Sequence, residues 1–322
     1  MKLRRLLTPS AAVAAAVVLG AVAVGLADAS SETSDVQMFA RAGAVLLSPH
    51  ALHAYAGEEV QAGPLELALA AGAHGLGHGQ AGFAVLLDLV CTAALTFAAW
   101  MLLDGRAGLL ALFGLGAYAL WLPGAGYDGH PAEVLIAVLW LLAAREARRG
   151  RTTLAGVYLG LSACFEVWGV LGVTVLALAP SLRSSVRGLA PAALLPLAAF
   201  LPFVLGGDFH MFGLQWPIDH GLPKLLLGTG RDFTWPMRLA EAAVVVGAGT
   251  VVARSTRRLE ASVWIVPAAT ALVRIGCDPV LYGYYWTTPL VCLLIGATQL
   301  LGRRTELAGW VASRAPLATK GH

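Results

Sequence analysis

Long apolar runs separated by short polar breaks set the plan of this chain. Ten of them lie near residues 10–27, 81–103, 107–122, 131–144, 152–165, 167–180, 189–205, 239–253, 260–275 and 284–301. Their length and near lack of charge predict helices rather than strands. Several fall short of the ~20 residues that span a bilayer unaided, so these predict tilted partners, half-helices or re-entrant hairpins. The stretch 64–76 is apolar but short, and predicts a re-entrant or interfacial helix. The fold expected is all-α: one integral membrane domain over 1–322, with about ten transmembrane or half-membrane helices.

Between the first two runs the chain reads "SSETSDVQMFARAGAVLLSP", residues 30–49. Ser34 with Gln37 three positions later is a capping-box pattern, which starts an amphipathic helix and sets Asp35 in its first turn. Asp35 is thereby held at a fixed depth near the point where the chain leaves the membrane. An acid there also complements the helix dipole, an effect of roughly a few tenths of a kcal/mol. The N-terminus imitates a secretory signal, with a basic start and Ala27-Asp28-Ala29 as an A-x-A site. The number of hydrophobic segments that follow, and the charge map, favour an uncleaved first span.

Composition fits this plan. Hydrophobic residues are 58% of the chain, charged ones 13%, and the mean hydropathy is +0.72, so lipid is the solvent for most of it. The net charge of +3 matters less than its placement. Lys2, Arg4, Arg5, Arg106, the "REARRGR" run (145–151), Arg183, Arg187, Arg254, Arg257, Arg258, Arg303, Arg304 and the tail 303–322 fall on one side. Of the 22 Lys and Arg, only Arg41, Lys224, Arg231, Arg238 and Arg274 fall on the other. The richer side is expected to be cytoplasmic, with both termini inside.

The outer side then collects Asp28, Glu32, Asp35, Glu58, Glu59, Glu66, Asp128, Glu133, Asp208, Asp219, Asp232 and Asp278, and every histidine but His322. Its two long regions, 28–80 and 206–238, are where function is expected, since long loops on a rigid scaffold carry it. Trp216 and Trp235 suit the headgroup level.

Several chemistries are open. Cys91, Cys164, Cys277 and Cys292 share no close spacing and suggest neither a zinc site nor a disulfide framework. His50 with His53, or His74 with His78, has a spacing that would place two imidazoles on one helix face, but no H-E-x-x-H occurs. No G-x-S-x-G supports a hydrolase. Asp88 and Glu241 fall inside apparent spans and Glu166 at the turn of the hairpin 152–180; acids at such depth mark ion or proton paths, or pair with arginines. Basic groups on the outer side run against the topology bias. Lys224, Arg231, Arg238 and Arg274 would answer either an anionic lipid phosphate or the acids Asp232 and Asp278. The segment "RIGCDPVLYGYYWTTPL" (274–290) sets Arg274, Asp278 and a tyrosine cluster at an outer membrane edge.

In this order the pieces resemble polyprenyl-phosphate-sugar-dependent glycosyltransferases of the GT-C class, of the actinobacterial family 87 type that includes phosphatidylinositol-mannoside mannosyltransferases. The family opens with one span, then an outer loop with an acid, an amphipathic helix, a tyrosine and a "PPL"-like turn. Asp35, "VQMFARAGAVLL", Tyr55 and "AGPLELAL" are similar to these. "GHPAEVLIAVLWLLAAREARRGRTTLAGVYLGLS" resembles the family's GH-led span and basic run, and "DPVLYGYYWTTP" its late DP…YY. The chain departs where the family often carries a lysine after the "LGL" helix: Glu166 stands there, in "FEVWG".

The resemblance implies a GT-C-like helical bundle in the cell membrane, with an extracytoplasmic site. There a sugar, mannose or another hexose or pentose, passes from a polyprenyl phosphate to a lipid or glycan acceptor with inversion. It implies Asp35 as general base, and Arg274 with Lys224 or Arg231 at the donor phosphate. Tyr55, His130 and Asp278 would line the substrate site, with Tyr284, Tyr285 and Trp286 against the sugar or prenyl chain. A phosphate leaving group does not demand a metal, so no cofactor is expected, and no nucleic-acid partner. The alternative is a multi-span transporter or non-catalytic membrane protein using Asp88 and Glu241.

Overall fold

The computed structural model describes residues 9–28, 34–57, 59–124 and 130–314. Lys2, Arg4, Arg5, Ala29, Glu32, Glu58, Asp128, Lys320 and His322 lie outside the described residues, as do the side chains of Asp28 and Ser34. In chain order the helices are α1 (Pro9–Asp28), α2 (Ser34–Leu46), α3 (Pro64–Gly77), α4 (Gln80–Leu102), α5 (Ala107–Ala119), α6 (Pro131–Arg148), α7 (Thr152–Phe165), α8 (Leu182–Gly206), α9 (Gly221–Leu227), α10 (Trp235–Thr256), α11 (Ser262–Cys277) and α12 (Thr287–Arg314). Each apolar run expected to be helical coincides with a helical element. Among the described residues four stretches, Gln80–Leu102, Leu182–Gly206, Trp235–Thr256 and Gly283–Arg304, are long and apolar enough to cross a membrane; α5, α7 and α11 are among the shorter apolar ones.

The helix α6 is the centre of the bundle. From Pro131 to Ala147 every residue but Leu139 and Arg145 is buried, which suits a helix apolar on all sides. It packs against α4, α7, α11 and α12. Two apolar clusters meet on it, one built with α4, α5 and α12, the other with α7, α10 and α11. Its C-terminal end carries the buried Glu146, which accepts from Arg145 at 2.7 Å and pairs with Arg151. Arg148 donates to the carbonyls of Arg257 and Leu259 and to Ser262 Oγ, tying α6 to the α10–α11 turn. Glu146 and these acceptors thus engage several arginines of the "REARRGR" run, while Arg149 and Arg151 remain exposed at the surface.

The second arm of the 152–180 hairpin is a 3-10 helix, Val167–Leu178. Such runs are uncommon beyond a few residues, but at about 2.0 Å per residue this one covers roughly 24 Å, more than an α-helix of equal length. It is held laterally: Trp140 Nε1 donates to Gly169 O at 2.9 Å, and Thr174 Oγ1 meets Thr270 Oγ1 at 2.9 Å. The first arm, α7, crosses α8 closely at Gly156, where a Cβ would lie 2.0 Å from Gly188 O. Small residues at such a crossing let backbones approach.

On the other face the two long polar regions close on each other. The helix α2 lies on α3 through buried Phe39, Ala40 and Ala42. Gly43 is required there, because a Cβ would stand 2.1 Å from Leu67 O. Gly63 N donates to Phe165 O at 2.6 Å, and Ala62 bridges Glu166. His53 Nδ1 meets Asp208 Oδ2 at 3.0 Å, His210 N donates to Tyr55 O at 2.8 Å, and Trp216 Nε1 to Gln61 Oε1 at 3.2 Å. A two-residue antiparallel ladder, β1 (Trp216–Pro217) with β2 (Asp232–Phe233), frames α9.

Candidate active site

Pro131 suits the first position of α6 and sets Glu133 in the first turn, where the helix dipole favours an acid. Glu133 is 1% exposed. Its Oε1 accepts from Arg274 Nη1 at 3.2 Å and its Oε2 from Thr288 Oγ1 at 2.7 Å. Arg274, in the last turn of α11, is 5% exposed. Its guanidinium lies 3.9 Å from the centre of a Trp168 ring and 4.2 Å from that of Tyr285. Asp278 Oδ2 stands 3.9 Å from Nη2. Arginine is suited to such a place because its planar cation stacks on aromatic faces while its edges pair with carboxylates.

Glu66, on α3, is fully buried. Its Oε1 accepts from Ala132 N at 3.4 Å, at the start of α6, while its Oε2 has no hydrogen-bond partner among the described residues. Burial and then the Glu166 charge push its carboxyl well above the usual range. Glu166 itself accepts from Trp168 Nε1. Asp278 is also raised by burial, against the pull of Arg274, and accepts from Val280 N at 3.1 Å.

Nearer the surface, His130 occupies the position just before α6, without a side-chain hydrogen bond to the helix end. Its Nε2 lies 3.2 Å from Asp35 Oδ2, with the histidine 8% and the aspartate 44% exposed. The imidazole stacks on Tyr284 with centroids 3.9 Å apart and takes the edge of Phe39 at 5.3 Å. Its Nδ1 is buried without a hydrogen-bond partner among the described residues. Tyr284 stacks on Tyr282 and meets Tyr285 edge-on at 5.0 Å. Burial pushes the Tyr282 hydroxyl up from its ordinary value. A continuous path of contacts thus runs from the half-exposed Asp35 through His130, Tyr284 and Tyr285 to Arg274 and Glu133.

Of the residues expected at a substrate site, Asp35, His130, Asp278, Tyr284, Tyr285 and Arg274 are brought together. Lys224 on α9 and Arg231 before β2 are exposed and make no ion pair among the described residues. The charge of Arg274 is instead taken by Glu133 and Asp278. Tyr55 is wholly buried among Phe200, Phe203 and Phe209, with its hydroxyl donating to Ala62 O at 3.1 Å; it joins the two outer regions. Trp286 is 43% exposed. Arg238 lies over Phe233 rather than in the cluster.

Sequence reasoning placed Glu133 and Glu66 only among the outer acids, and did not single out Trp168, Tyr282 or Thr288. A signal for Glu133 existed: it lies inside the apolar run 131–144, where an acid needs a partner. Asp88 is buried in α4, and Glu241 half-buried in α10. Among the described residues no group of three or more His, Cys, Asp and Glu is placed to hold a metal ion. No family model, curated protein or solved structure matches the chain. The likeness to GT-C enzymes therefore rests on the short motifs in the sequence.

Proposed function

We propose that this chain is a membrane glycosyltransferase, with Asp35 as the general base that takes the proton from an acceptor hydroxyl. The observation that carries the reading is the Asp35–His130 contact at 3.2 Å, between a half-exposed carboxylate and a buried imidazole stacked on Tyr284. One carboxylate oxygen of Asp35 is held beside the imidazole, and the side chain keeps partial exposure to solvent. Proton transfer by such a group accelerates a reaction by typically about 10²–10⁴-fold.

The donor is a sugar on a polyprenyl phosphate, attacked from the side opposite the phosphate, so that transfer inverts the anomeric centre. The tyrosine stack offers flat faces for a sugar ring and neutral hydroxyl donors. Because the charge of Arg274 is met by Glu133 and Asp278, direct phosphate contact falls to the exposed Lys224 and Arg231. The family likeness and the outward placement of these residues by the charge map support an extracytoplasmic site in the cell membrane, within about ten spans. Membranes expressing the protein, supplied with labelled polyprenyl-phosphate mannose, should gain a labelled lipid or glycan absent from control membranes. No product from this or other polyprenyl-phosphate sugars would contradict the reading.

A second reading draws on the acids within the spans, Asp88, buried in α4, and Glu241, half-buried in α10. Acids at membrane depth also serve proton-coupled transport. In that case Asp88→Asn would abolish uptake of a solute into vesicles while Asp35→Asn left it intact.

A further inference from the structure

The end of the bundle away from the tyrosine stack carries a basic recess. Between the first turn of α8 and the last turn of α10 lies a recess of about 620 Å3, lined by Ser181, Ser185, Arg254, Arg257 and Arg258. It lies about 20 Å along α10 from Glu241, at 1.5 Å per residue. Other arginines on this end have partners: Arg145 and Arg151 pair with Glu146, Arg303 pairs with Glu260, and Arg148 donates to carbonyls and Ser262. Arg254, Arg257 and Arg258 have no side-chain ion pair among the described residues, and no acid lines the recess. Three cations converge on a cavity whose wall includes the N-terminus of α8, with Ser181 as its cap.

The surroundings indicate which kind of anion suits these arginines. Both helices are long apolar candidate spans whose sides are mostly uncovered by protein, so the recess opens at the end of lipid-facing surface. Leu182, Val186 and Leu189, spaced to share one helix face, are all exposed and lead from the recess along α8. We propose that the recess binds the phosphate of an anionic phospholipid headgroup from the adjoining leaflet, with an acyl chain along that leucine–valine stripe. A soluble phosphate shares the headgroup chemistry but has no use for the stripe. The site depends on the membrane setting and not on glycosyl transfer.

The test is native mass spectrometry of the full chain in detergent with added phosphatidylglycerol. The wild type should retain the lipid, and the folded triple variant Arg254→Gln/Arg257→Gln/Arg258→Gln should retain at least about tenfold less, because each arginine at a membrane surface contributes separately. The single variant Arg254→Gln provides the same comparison should the triple variant not fold. Arg183→Gln/Arg187→Gln, which changes basic residues outside the recess, should bind as the wild type does. Retention unchanged in the folded Arg254 variants would overturn the site. Complete displacement of the lipid by inorganic phosphate would overturn the lipid assignment.

Discussion

Arg274 Nη1 stands 3.2 Å from Glu133 Oε1, joining the last turn of α11 to the first turn of α6 in a place almost closed to solvent. Arg274 also has Asp278 at 3.9 Å, but Glu133 has no second cation beside it among the described residues, so truncating Arg274 strands Glu133. Arg274→Ala should lower stability by about 3–5 kcal/mol, read as a fall in unfolding temperature in detergent. Adding Glu133→Gln should recover part of the loss, giving a coupling of at least about 1 kcal/mol. Strictly additive effects would mean that the pair does not form.

Glu66 predicts a pH dependence. Burial and Glu166 raise its carboxyl above the ordinary value of 4.5, so the fold keeps a proton that the unfolded chain releases. Its contribution is complete below that ordinary value and is lost as pH rises through the raised one. Glu66→Gln keeps an acceptor for Ala132 N and removes the titration. The unfolding temperature of the variant should therefore decline less than that of the wild type as pH rises above the ordinary glutamate range. Superimposed profiles would show that Glu66 ionises freely in the fold.

The orientation can be read with cysteine labelling, helped by the burial of all four native cysteines. Leu47, at 65% exposure after α2, and Arg258, at the recess, occupy opposite sides in this account. In intact cells a membrane-impermeant maleimide should modify Leu47→Cys and not Arg258→Cys. The reverse pattern would invert the topology.

The helical plan was legible because a bilayer demands long apolar runs, and α2 begins where Ser34 and Gln37 indicate. The partners were not legible. Glu133 and Arg274 are far apart in the chain, and nothing local in either segment names the other. His130 and Asp35 each stood out in a motif, but their contact depends on how α2 lies across α3. The 3-10 form of Val167–Leu178 was hidden too, since periodicity cannot separate it from an α-helix in so uniformly apolar a run. Tyr55, which the resemblance alone put at the substrate, is buried among aromatics from α8 and the loop beyond it, neighbours that no local pattern in its own segment names.

The central claim is that Asp35 is a base held by His130. Transfer of labelled sugar from polyprenyl-phosphate mannose should be compared in membranes carrying equal amounts of folded wild type, Asp35→Asn and His130→Ala. The account predicts a loss of about 10²–10⁴-fold for Asp35→Asn and about a hundredfold for His130→Ala, which leaves the base but not its position. Full transfer activity in folded Asp35→Asn would contradict it.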